Sequence, residues 1–117
     1  MADPKTGITR LNEANWSTWK LRMEALLDTE ELWDVIEEEV PAAEQQDAVW
    51  TRKDRKARGH LIVALEDSQL RHIKGKVHAR DIFGALKAHH EQAMRSVRVS
   101  LLKKMRGDGN PIPTKAN

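Results

Sequence analysis

The chain has 117 residues, with 20 Lys and Arg against 18 Asp and Glu, five His and no Cys. This length suits one small domain with a single core and leaves no room for a catalytic domain with a second lobe. Without Cys, disulfides, Cys-based zinc sites and thiol nucleophiles are excluded. No stretch reaches the roughly 20 apolar residues of a membrane span, and the N-terminus has no apolar signal core. We therefore expect a globular, intracellular protein.

The charges are strongly segregated along the chain. Residues 28–47 carry nine acidic and no basic groups, whereas residues 48–108 carry fifteen basic and six acidic groups. Solvated helix faces are one interpretation of this pattern. The alternative is a pair of complementary surfaces for self-association, or a weak nucleic-acid footprint.

Apolar residues recur at three- and four-residue steps, which predicts an all-α fold: a compact bundle of about five to six helices. The first helix is expected from about Trp16 to Asp28, with Asn15 as its N-cap. A short second helix is capped at position 28 or 29, with Glu31 completing a capping box, and ends before Pro41.

Four further helices are expected downstream. A long one runs from about residue 44 to 65, and a short one stops at Gly75. The fifth carries the apolar face Ala79, Ile82, Phe83 and Leu86. The sixth carries Met94, Val97, Leu101, Leu102 and Met105.

The predicted helical domain spans residues 8–106, between a flexible N-terminus at 1–7 and a flexible tail or truncated linker at 107–117. Its core is expected to contain the large apolar residues of the helical stripes. These are Trp16, Trp19, Met23, Leu26, Trp33, Trp50, Leu61, Leu65, Ile82, Phe83, Leu86 and Leu101.

No recognisable catalytic or metal-binding constellation is present in the sequence. The histidines stand at positions 60, 72, 78, 89 and 90, and no pair has the three- or four-residue spacing that places two ligands on one helix face. We therefore expect no enzyme, no cofactor, no metal and no small-molecule substrate.

Asp54 is an acid on the apolar side of the third predicted helix, four residues after Trp50 and three before Ala57. A buried acid must be hydrogen-bonded or paired. Its carboxylate is expected to bond to the N-terminus of a helix or to pair with an Arg. The alternative is a lone functional acid.

The basic run at 51–58 is the strongest hint of nucleic-acid binding, because clustered cations neutralise phosphates. However, no aromatic residues are interleaved with these charges to stack on bases.

Three blocks of residues resemble the Gag polyprotein of copia-type LTR retrotransposons, over about residues 8–106. The first block is Asn15, Trp16, Trp19, Met23, Leu26 and Trp33. The second is Trp50, Asp54, Lys56, Ala57, Leu61, Ile62, Leu65 and Asp67. The third is Ala79, Ile82, Phe83, Leu86 and Leu101.

The resemblance implies a capsid-like domain, similar to the N-terminal lobe of retroviral capsid proteins, which forms rings of five or six copies in a shell around element RNA. It implies as partners further copies of the chain and longer Gag chains. The Cys-Cys-His-Cys knuckle that binds RNA in such proteins is missing, so RNA binding here is expected to be indirect or weak. The chain is then one domain of a longer Gag or a shortened, host-retained copy, in cytoplasmic particles, with the nucleus as an alternative site.

Charge segregation suggests which residues make the contact between copies. We expect acidic groups of one copy to face basic groups of its neighbour. The candidate assembly contacts are Glu30, Glu31, Asp34 and Glu38 on the acidic side and Arg52, Lys53 and Lys56 on the basic side.

Two other functions remain open at this stage. One is a domesticated Gag fragment that acts as an interaction module and interferes with assembly. The other is a small helical nucleic-acid-binding domain.

Overall fold

A computed structural model of the chain describes the backbone of residues 7–105 and the side chains of residues 7–98. Within this range the fold is all-α, as predicted. The elements are α1 (Trp16–Thr29), α2 (Asp34–Glu37), a 3-10 helix (Ala43–Gln45), α3 (Ala48–Val63), a second 3-10 helix (Asp67–His72) and α4 (Ala79–Met105). The chain divides into two units, residues 1–87 and 88–117. Apart from Gly7, the predicted flexible ends lie outside the described residues.

The segment before α1 is tied to the end of α3 by an isolated parallel bridge between Leu11 and Leu65. Leu11 N donates to Ala64 O at 2.8 Å, and Glu66 N donates to Leu11 O at 3.0 Å. Ala64 O also accepts from Trp19 Nε1 at 3.0 Å. One carbonyl at the end of α3 therefore holds both the entry to α1 and the buried indole of α1.

Asn15 occupies the N-cap position of α1, as expected, but its side chain makes no capping hydrogen bond. Instead, Asn15 Oδ1 accepts from Asn12 N at 2.8 Å and Asn15 Nδ2 donates to Arg10 O at 3.0 Å. The preceding loop supplies these closer partners, so the amide of Asn15 fixes the loop.

The predicted capping box between α1 and α2 is wrong. α1 continues through Asp28 to Thr29, so Asp28 lies inside a helix and does not cap the next one. Glu31 N donates to Asp28 O at 3.0 Å, and Leu32 N donates to Leu27 O at 2.7 Å. This is the Schellman termination, which requires a left-handed residue, and Glu31 supplies it with a φ of 61°.

Asp47 caps α3, where its side chain accepts from Trp50 N at 2.8 Å. The helix therefore starts later than predicted, after the separate 3-10 helix. Downstream, Gly75 has a φ of 83°, a conformation that glycine adopts readily, at the turn before α4.

The fifth and sixth predicted helices form the single helix α4. The residues between Leu86 and Met94 include no Gly or Pro, so nothing in the sequence interrupts the hydrogen-bond ladder there.

The core of the first unit is formed around an aromatic cluster. The ring centroids of Trp16 and Trp19 lie 5.7 Å apart, and Phe83 lies 6.0 Å from Trp16 and 5.7 Å from Trp33. Of the predicted core residues, those buried are Trp16, Trp19, Met23, Leu61, Leu65, Ile82, Phe83 and Leu86.

Three predicted core residues lie at the margin of the core: Leu26, Trp33 and Trp50 are partly buried and pack against it. The side chain of Leu101 lies outside the described residues. Among the described helices, none is both long and apolar enough to cross a membrane.

Candidate assembly surface

The carboxylate of Asp54 joins α3 to the start of α4. Its Oδ1 accepts from Ala79 N at 2.9 Å, and its Oδ2 lies 3.0 Å from His78 Nδ1. Asp54 is only 6% exposed. Its negative charge therefore satisfies a helix N-terminus, the first of the two structural roles considered for it.

Two further side chains of α3 contact the same segment. The rings of Trp50 and His78 meet edge to face at 5.5 Å, and Arg58 Nη1 donates to Val77 O at 3.3 Å. Trp50, Asp54 and Arg58 follow one another at four-residue steps, so one face of α3 fastens the start of α4. Because both carboxylate oxygens have partners within the protein, the role of Asp54 is structural: it holds α3 against the start of α4.

Two of the three cations in the predicted contact between copies have acidic partners within the same chain, and the contact itself stays a prediction. Lys53 Nζ lies 2.6 Å from Asp34 Oδ2, and Lys56 Nζ lies 3.1 Å from Glu30 Oε1. α2 and the end of α1 lie beside α3, so these opposite charges meet inside one copy.

Lys56 also favours the ionised form of Glu30. Its hydrogen bond and positive charge lower the pKa of the Glu30 carboxyl, with a smaller contribution from the neighbouring His60. His60 Nε2 lies 3.8 Å from Glu30 Oε1, beyond hydrogen-bond distance. Glu30 is therefore an ionised partner of α3.

The other candidate contacts, Glu31, Glu38 and Arg52, are exposed. These ion pairs within the chain also weaken the case for nucleic-acid binding by the basic run. With Lys53 and Lys56 paired to acids, the run at 51–58 presents less uncompensated positive charge to a phosphate backbone.

A groove of about 600 Å³ opens in the first unit between α1, α2 and the start of α4. Among its least exposed lining residues are Ile36 and Phe83, beside the half-buried Trp33. Arg80 closes one end of α2, where its Nη1 donates to Ile36 O at 2.9 Å and to Glu37 O at 2.7 Å. The groove therefore has a small aromatic and aliphatic floor, and most of its lining is charged. The charged lining residues are Lys20, Lys76, Arg80 and Lys87 with Glu24, Glu37 and Asp81.

Sequence reasoning missed this groove. The available signal was Gly84, a glycine inside an apolar helical pattern, which also lines the groove.

The second unit carries an exposed apolar pair on α4. Met94 is 46% exposed and Val97 is 60% exposed. The sequence predicts these residues on the apolar face of a helix, and in the structure that face is accessible at both positions.

These features define a small all-α domain whose described surface has both apolar and charged regions. Residues 23–107 match the family described as the gag-polypeptide of LTR copia-type. The match covers more than half of the chain, and the chain belongs to this family, as the resemblance implied. It is thus a Gag structural domain of the copia type. Comparison with curated proteins and with solved structures gave no match.

Proposed function

We propose that this domain associates with further copies of itself, in rings that build a cytoplasmic shell around retrotransposon RNA. Membership of the copia-type Gag family carries the proposal, because Gag polypeptides are structural proteins. Longer Gag chains that contain the same domain are further partners in this proposal.

The surface of the domain supports association. When a partner covers an exposed apolar pair on a helix and removes it from water, the free energy falls and association is favoured. Met94 and Val97 form such a pair on α4.

The ion pairs of Lys53 and Lys56 determine which substitutions can test a contact between copies. Reversal of Lys53 or Lys56 to Glu breaks pairs with Asp34 and Glu30 inside the chain. Any loss of assembly in such variants would then combine a change in the fold with a change in the contact. Substitutions at exposed apolar positions separate the two effects.

Sedimentation velocity of nucleic-acid-free protein over a wide concentration range, at low and high salt, tests the proposal. We expect growth from monomer to pentamer, hexamer or larger species as the concentration rises. A strict monomer in every condition would refute autonomous assembly. If that monomer joined particles of a longer Gag, the interaction-module hypothesis would replace it.

A further inference from the structure

We propose that Arg52 and Arg55 form a binding site for the phosphate backbone of a nucleic acid on the exposed face of α3. Both side chains line a cleft of about 440 Å³ at the start of this helix. The inference goes beyond the proposed self-association and does not depend on it, because a single copy holds both arginines.

The packing of α3 separates the five cations of the basic run into two groups. Lys53 and Lys56 have acidic partners on α1 and α2, and Arg58 donates to a backbone carbonyl before α4. Within the part of the chain that the structure describes, the side chains of Arg52 and Arg55 have no such partner. The uncompensated charge of the run is therefore concentrated on these two arginines.

Both arginines project from the same side of α3. They lie three residues apart and are exposed, and a three-residue step keeps two side chains on one helix face. Ala48 lies on this face before them and Gly59 after them, also exposed, and a Cβ at position 59 would meet nothing within 4 Å. Small residues on either side of the two cations leave room for a strand to lie along the helix.

The lining of the cleft is suited to an anion. It includes one acid, Asp47, whose Oδ1 accepts from Trp50 N as the cap of α3. The two arginines outnumber this acid, and Thr51 adds a hydroxyl beside them. Arginine donates parallel hydrogen bonds to two oxygens of a phosphate group, which makes it well suited to this ligand.

The site fits the backbone of a nucleic acid better than its bases. None of the residues that line the cleft is aromatic, so they provide no platform for base stacking. Contacts to phosphates do not depend on sequence, and they release counterions from the strand. We therefore expect binding that is indifferent to sequence and weakened by salt.

The first test removes the two charges. The probe is a fluorescently labelled single-stranded RNA oligonucleotide of mixed sequence, and its anisotropy gives the dissociation constant at several salt concentrations. The double variant Arg52→Gln, Arg55→Gln should raise this constant about tenfold at low salt. The slope of log K against log salt should become shallower by about 1.4, because each phosphate contact with a single strand contributes about 0.7.

A matched control removes the same charge from another part of the surface. Arg71 and Lys74 are also exposed and three residues apart, and they lie outside the cleft. The double variant Arg71→Gln, Lys74→Gln should bind the RNA with a slope near that of the parent. Urea midpoints of both double variants should stay near the parental value, because all four side chains are exposed.

The second test changes the cleft and keeps both arginines. Ala48→Glu adds a carboxylate to the lining at the first residue of α3, where the helix dipole favours an acid. This variant should bind the RNA more weakly than the parent. By contrast, the double variant Arg52→Lys, Arg55→Lys retains both charges and should keep the parental salt slope.

Three results would overturn the site. The first is a parental protein that does not bind the RNA at low salt. The second is an equal loss of binding in the Arg52, Arg55 variant and in the Arg71, Lys74 control, which would show diffuse attraction to the whole surface. The third is displacement of the RNA by inorganic phosphate at an equal concentration of phosphate groups, which would assign the cleft to the free ion. Each of these results would leave self-association standing, because sedimentation of nucleic-acid-free protein tests it separately.

Discussion

Replacement of Asp54 by Ala should destabilise the domain strongly. The substitution removes the acceptor for Ala79 N, which bonds to Asp54 Oδ1 at 2.9 Å, and the partner of His78. Ala79 is fully buried, so its amide cannot turn to water. An unsatisfied buried donor costs about 1–3 kcal/mol, and loss of a charged acceptor at a helix N-terminus adds about 0.5–1 kcal/mol.

We therefore expect Asp54→Ala to lower the free energy of unfolding by about 2–4 kcal/mol, a large part of the usual stability of a small domain. Urea unfolding followed by far-UV circular dichroism measures this loss. With a slope of about 1.5 kcal/mol per molar, the midpoint should fall by about 2 M.

Two variants control this experiment. Asp54→Asn keeps an oxygen that can accept from Ala79 N, and should lose only about 1–2 kcal/mol. Asp28→Ala removes an exposed acid on α1 and should change stability by less than about 0.5 kcal/mol. An Asp54→Ala midpoint equal to that of Asp28→Ala would refute the role of Asp54 as the acceptor for α4.

Three further predictions concern α1 and its surroundings. Trp19→Ala should cost about 3–5 kcal/mol of unfolding free energy, because residue 19 is 1% exposed. Trp19→Phe should cost less, because its ring fills part of the indole volume. Equal midpoints for Trp19→Ala and parent would show that Trp19 is not a core residue. Glu31→Gly should raise stability by about 0.5–1 kcal/mol, because glycine adopts the φ of 61° without steric cost; a lower urea midpoint would contradict this. Because the pKa of Glu30 is lowered in the folded state, its pair with Lys56 contributes fully to the free energy of unfolding above roughly pH 5, and this contribution is lost as the pH falls through the folded pKa. The difference in urea midpoint between parent and Glu30→Gln should therefore shrink on acidification. A difference that stays constant with pH would exclude this linkage.

Periodicity alone was sufficient to predict the all-α class and the buried face of α1. Trp16, Trp19 and Met23 follow the helical repeat, and the structure buries all three. Hydrophobic spacing along one helix is a local property, so a single sequence displays it. The position of Asp54 among apolar residues likewise predicted a buried acid bonded to a helix N-terminus or to an Arg, and the structure shows the helix N-terminus.

The boundaries of helices were less predictable, because local signals compete there. Asp28 and Glu31 fit a capping box in sequence, yet α1 runs through the first and uses the second in its Schellman termination. The capping box and the Schellman termination both satisfy backbone groups that lack partners at a helix end. With the Schellman termination, which the structure shows, Leu27 and Leu32 are both buried.

Sequence by itself therefore determined the helical class, the main apolar faces and the resemblance to copia-type Gag, all of which rest on residue order and spacing. Only the tertiary structure decided that Lys53 and Lys56 are paired within one copy, and that Gly84 lines a groove between α1, α2 and α4. Both features bring together residues that are distant in the chain. Their partners depend on helix packing, which no local pattern encodes.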